Sequence, residues 1–115
     1  ALITGAKKLF EGKKCTVVFQ PHLFSRTKDH ADGFAEVLDM ADEIILLPIY
    51  PARELPMEGV TSQLIFDCIV GADKYLITKS QLLPLLENLN TEVFVTIGAG
   101  DIDTMIQPII DLFKA

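Results

Sequence analysis

VVFQPHLFSRTKD, residues 17–29, decides the fold. Apolar, β-favouring residues run from Cys15 to Phe19 and break at Gln20, Pro21 and His22, the pattern of a short buried strand ending in a loop. Beyond the loop, Ala31, Phe34, Ala35, Leu38 and Ala41 recur at helical spacing, and Ser25 or Thr27 is placed to cap the start of that helix. A strand that passes through a polar loop into an amphipathic helix is the repeating unit of an α/β domain. An imidazole and a guanidinium in that loop are not needed to turn a chain, so His22 and Arg26 also raise the question of function.

The same alternation extends both ways. Upstream, Leu2, Ile3, Ala6, Leu9 and Phe10 mark an amphipathic helix stopped at Gly12. Downstream, EIILL at 43–47 predicts a second strand, followed by a long loop with Pro48, Pro51, Pro56 and Gly59. Leu64, Ile65, Cys68 and Ile69 predict a helix capped by Thr61 or Ser62, and residues 74–77 a third strand. Ser80 is the expected cap of a Leu-rich helix that ends near Leu89 and carries Pro84 in its first turns. EVFVTI at 92–97 predicts the last strand; the chain then turns through GAG into a helix bearing Ile102, Met105, Ile106, Ile109 and Phe113, with a kink expected at Pro108. Strands that are apolar on both faces and alternate with helices imply a mainly parallel sheet covered by helices on both faces, fold class α/β.

Composition bounds the function. A chain of 115 residues that is 50% hydrophobic and 23% charged suits one compact domain. Ten Lys and Arg against 16 Asp and Glu, a formal charge of −6 with no basic cluster, argue against nucleic acid as a partner. Cys15 and Cys68 lie inside apolar patterns without a C-x-x-C pair and read as buried free thiols of a reducing compartment. Neither a signal peptide nor a transmembrane run is visible, so the expected location is cytoplasmic and no membrane partner is implied. The sequence opens at Ala1 within an amphipathic helix, and the expectation is a fragment of a longer polypeptide.

Three unusual loops each follow a strand: QPHLFSRT (20–27), PIYPARELP (48–56) and GAGD (98–101). In a parallel sheet all three fall along the carboxyl edge of the strands, where ligands gather. His22 and Arg26 come from the first loop, Tyr50, Arg53 and Glu54 from the second, and backbone N–H groups near Gly98 and Gly100 from the third. Two guanidiniums at such an edge suit a carboxylate or phosphate, because Arg presents a planar fork of donors. Structural alternatives accompany each residue. His22 could cap a helix, Arg26 could pair with Asp29 for about 0.3–0.5 kcal/mol, Arg53 with Glu54, and Tyr50 could simply pack under its loop. GAGD lacks the full G-x-G-x-x-G spacing and a P-loop lysine, so a plain turn with Asp101 as cap competes with a phosphate cradle. No metal-ligand spacing and no Ser-His-Asp order appears.

FQPHLFSRT, IYPARE, GVTS and GAGDI together resemble the C-terminal domain of a Mur ligase over essentially the whole chain, in the branch marked by QPH-x-F/Y-S/T-R-T. The resemblance implies a Rossmann-like domain, residues 1–115, that closes as a lid in a three-domain cytoplasmic enzyme of peptidoglycan synthesis. In such an enzyme the N-terminal domain holds UDP-N-acetylmuramate, and the central domain binds ATP and magnesium. ATP phosphorylates the muramoyl carboxylate, and the amine of L-alanine attacks the acyl phosphate. Carried onto this chain, the resemblance makes Arg26 the anchor of the amino-acid carboxylate and His22 its neighbour. Ser25, Tyr50, Arg53 and Glu54 join them as substrate-side residues, with Gly98 and Gly100 toward the nucleotide. Leu23 stands where many relatives have a second arginine. The GKT-type loop, the magnesium ligands and the His-rich linker fall outside these 115 residues, so this piece alone is expected to bind no cofactor and to be inactive. A flavodoxin-like or receiver-like interaction module, or a free-standing nucleotide-binding domain, are the competing readings.

Overall fold

The structure, a computed structural model, describes residues 2–89, 91–98 and 105–114. Four strands, β1 (Cys15–Gln20), β2 (Glu43–Leu46), β3 (Asp73–Leu76) and β4 (Val93–Gly98), form one sheet in the order β3-β2-β1-β4, and every pairing is parallel. The register sets Val17 beside Ile44 and Val95, and Gln20 beside Gly98. β1 and β2, in the middle, are buried along their whole length, as strands covered on both faces must be.

Alternation along the strands sorts the core into two layers. Val17, Phe19, Ile44 and Leu46 face one side, against Ile3 of α1 (Leu2–Leu9), Ala35 and Leu38 of α2 (Phe24–Leu38), and Ile65 of α3 (Gln63–Cys68). Val18, Ile45 and Leu47 face the other, against Leu82 and Leu86 of α4 (Leu82–Asn88) and Ile109 of α5 (Ile106–Lys114). The chain moves outward from β1 to β2 to β3 with its connecting helices on one face. It then returns past β1 to β4 with α4 on the opposite face, as crossovers of a single hand require when direction reverses. β1 and β4 therefore flank the point where the direction of sheet growth changes.

Several local expectations are corrected. Neither Ser25 nor Thr27 caps α2: its N-cap position is Leu23, which lacks a side-chain oxygen, and Thr27 Oγ1 donates to the Leu23 carbonyl at 2.9 Å. The Leu-rich helix is introduced by a 3-10 turn (Lys79–Gln81) whose capping box is formed by Thr78 and Gln81, not by Ser80. Pro108 is the third residue of α5, in the first turn, where a missing N–H is tolerated. Thr61 Oγ1 does accept from the Gln63 N–H at 3.2 Å, while the Ser62 hydroxyl is used on the Leu47 carbonyl at 2.5 Å. Cys15 is buried and Cys68 half-buried; both are free, and Cys68 Sγ donates to Asp32 at 3.1 Å. Ile102 and Asp101 lie outside the described residues.

At the amino edge, Asp39 closes the end of α2 over the turn into β3. Its Oδ1 accepts from the N–H groups of Gly71 and Ala72, each at 2.9 Å, and its Oδ2 from that of Val70 at 3.1 Å. These donors, Val70 foremost, hold the Asp39 carboxyl below the ordinary carboxylate range. A depressed folded pKa adds stability that is fully present above the unfolded value, about 4, and is lost as pH falls through the folded one. Asp39→Ala is therefore expected to cost about 1–2 kcal/mol at pH 7. The gap from the parent should narrow below about pH 4, which urea melts at pH 7 and pH 3 will show.

Candidate functional site

At the carboxyl edge, where β1 and β4 end side by side, Phe19, Gln20, His22, Arg26, Phe34 and Gly98 line a cavity of about 210 Å³. The location is the topological switch point of the sheet, the crevice in which open α/β folds bind ligands. The volume is below the roughly 300–1,000 Å³ of pockets for drug-sized molecules and suits something smaller. Its composition divides by origin. Phe19 from β1 and Phe34 from α2, ring centroids 5.4 Å apart, make an apolar wall. Past the buried Pro21, the loop brings in His22, and the first turn of α2 brings in Arg26.

At Gly98 the two strands approach closely. Its φ is +143°, and a Cβ there would lie 2.7 Å from the Gln20 carbonyl oxygen, so only glycine fits without displacement. His22 is held from the other side by the loop after β2. The Leu23 N–H donates to the Tyr50 carbonyl at 2.9 Å and the Tyr50 N–H to the Pro21 carbonyl at 2.8 Å. The Tyr50 ring stacks on the imidazole at 6.0 Å with 17° between planes. Two loops are thus joined by a parallel bridge beyond the ends of their strands.

The start of α2 is served by the same second loop. Glu54 Oε1 accepts from the N–H groups of Phe24 at 2.5 Å and Ser25 at 3.2 Å, and Oε2 accepts from the Ser25 hydroxyl at 2.5 Å. The Ser25 hydroxyl, reinforced by the two backbone donors, holds the Glu54 carboxyl below its usual range. Leu23, immediately before the helix, has φ 72° and ψ 137°, a conformation that side-chain-bearing residues avoid and that surrounding contacts must enforce.

His22, Arg26 and Gly98 thus meet in one cavity, with Tyr50 behind the imidazole. Ser25 and Glu54 meet at the helix start. Arg53 is exposed and does not line the cavity, and Gly100 lies outside the described residues. Arg26 is exposed and, among the described residues, forms no ion pair with Asp29 or any other acid. Phe19, Gln20 and Phe34 were not among the expected site residues; Gln20 stands in the QPH stretch, and the two phenylalanines read as ordinary core. A wider opening of about 510 Å³ at the amino edge is lined by Lys7, Lys13, Lys14, Asp42, Asp73 and Glu92. Its opposite charges already satisfy one another in part, as in the 3.6 Å Lys7–Asp42 pair. Among the described residues no three His, Cys, Asp or Glu side chains are grouped to hold a metal ion, and no helix is long and apolar enough to cross a membrane.

A guanidinium, an imidazole and an apolar wall around a small volume can hold a carboxylate carrying a short side chain. Over 109 residues, 95% of its length, the chain is 51% identical to the UDP-N-acetylmuramate–L-alanine ligase of Cytophaga hutchinsonii. The chain is a homologue of these ligases. The ligases of that name from Flavobacterium johnsoniae and Porphyromonas gingivalis are 49% and 47% identical to it, each over 95% of the chain. It spans 23–24% of the length of these three ligases, about a quarter of each. No family model matches.

Proposed function

We propose that the chain is the C-terminal, amino-acid-binding domain of a cytoplasmic UDP-N-acetylmuramate–L-alanine ligase, which forms an amide between L-alanine and UDP-N-acetylmuramate at the expense of ATP in peptidoglycan synthesis. The observation that carries this reading is the identity of 51% sustained along 95% of the chain with a protein of that name. On this reading the residues around the cavity divide the labour. Arg26 pairs with the carboxylate of L-alanine, His22 presents a polar ring beside it, and Phe19 and Phe34 bound the space left for the methyl group. Holding the amine in register with an activated acyl carbon replaces a bimolecular encounter with an oriented one, an effect worth several kcal/mol.

The reaction also uses ATP and magnesium. Among the described residues there is no acidic or mixed metal cluster, and the sequence has no P-loop lysine motif. Both belong to the remaining three quarters of the ligase, together with the UDP-sugar, and no step through them is derived from this domain. The full-length polypeptide carrying the chain should release phosphate when given ATP, L-alanine and UDP-N-acetylmuramate, and the 115-residue chain alone should release none above blank. Turnover by the short chain, or none by the long one, would overturn the reading.

A further inference from the structure

We infer that Glu54 is a positioning residue for the amino-acid substrate, acting through Arg26 rather than touching the ligand; the inference rests on the ligase reading above. A helix is ordinarily capped by a side-chain oxygen of the residue that precedes it. α2 is preceded by Leu23, which has none, and its first N–H groups are met instead by a carboxylate from a loop about thirty positions away in sequence. Both Glu54 oxygens are engaged at the helix start, one with the N–H groups of Phe24 and Ser25 and the other with the Ser25 hydroxyl. Three donors are therefore already on the carboxylate before a substrate arrives.

Arg26 is the third residue of α2 and so lies in the turn that Glu54 fixes. No acid pairs with it among the described residues, so the backbone of that turn is what places the root of its side chain at the cavity. The preceding Leu23 sits at φ 72°, a strained conformation held from one side by its bonds to Tyr50 and Thr27 and from the other by the grip of Glu54 on Phe24 and Ser25. Glu54 also belongs to the loop whose Tyr50 backs His22, so one carboxylate ties the turn carrying Arg26 to the loop that stacks on His22.

The test uses the full-length ligase. Glu54→Ala should raise KM for L-alanine about 5- to 10-fold while KM for ATP stays within about twofold, a split that general loss of folded enzyme does not produce. Glu54→Gln, which keeps an acceptor oxygen but loses the charge and the second acceptor, should fall between parent and Ala, and it carries the same comparison if the Ala variant does not fold. Because Glu54 acts through Arg26, adding Glu54→Ala to an Arg26→Ala background should change KM for L-alanine by less than about twofold. An unchanged KM in Glu54→Ala, or full additivity in the double variant, overturns the positioning role while leaving the ligase reading intact. A parent enzyme without alanine-dependent turnover overturns both.

Discussion

Arg26→Ala is expected to raise the KM for L-alanine in the full-length ligase about 10- to 150-fold and to leave thermal unfolding where it was. A charge-assisted hydrogen bond contributes about 1.5–3 kcal/mol, and each 1.36 kcal/mol is a factor of ten. Among the described residues that line the cavity none replaces it: His22 carries at most a point donor, Leu23 brings no second guanidinium, and Arg53 does not line the cavity. Stability should be spared because the side chain is exposed, has no acid partner among the described residues, and stands in a helix where alanine is at least as favourable. Arg26→Lys should recover only part of the loss, since an ammonium cannot match a carboxylate with two parallel donors. Steady-state kinetics at varied L-alanine with ATP saturating is the measurement. An unaltered KM would remove Arg26 from the site.

Gly98→Ala is the substitution expected to damage the fold most. A methyl group there would stand 2.7 Å from the Gln20 carbonyl oxygen and 3.2 Å from its N and Cβ, and the backbone at φ +143° is itself unfavourable for alanine. The strain and the enforced separation of β4 from β1 together should cost about 2–5 kcal/mol, a Tm decrease of about 8 °C or more for a chain of this size. Gly33→Ala supplies the contrast. That glycine lies inside α2 with nothing within 4 Å of a built Cβ, so the same change should be neutral or stabilise by up to about 1 kcal/mol. Thermal melts of the two variants side by side separate the local demand at Gly98 from a general effect of losing a glycine.

The helix–strand alternation was readable because each element declares itself within a few residues: CTVVFQ and EIIL are apolar on both faces, and Leu38 and Ala35 repeat at helical spacing. The order of the strands was not, since the return from β3 past β1 to β4 is a choice of non-local pairing that no window of sequence contains. The site followed the same boundary. His22 and Arg26 were visible as polar residues in a loop with no structural need of them. The walls provided by Phe19 and Phe34 were hidden, because an aromatic residue at a core position looks the same whether it faces other core residues or a cavity. The start of α2 was misjudged for a related reason: local propensity assigns the cap to Ser25 or Thr27, but the acceptor is Glu54, brought in by the path of another loop.

The stacked pair of Tyr50 and His22 has an optical consequence. The sequence contains no tryptophan and only two tyrosines, and the other, Tyr75, stands on β3, two strands away from β1. Tyrosine emission from this domain therefore arises from two phenols, one of them stacked on the imidazole that lines the cavity. The domain thus carries an unlabelled chromophore beside the cavity at its carboxyl edge.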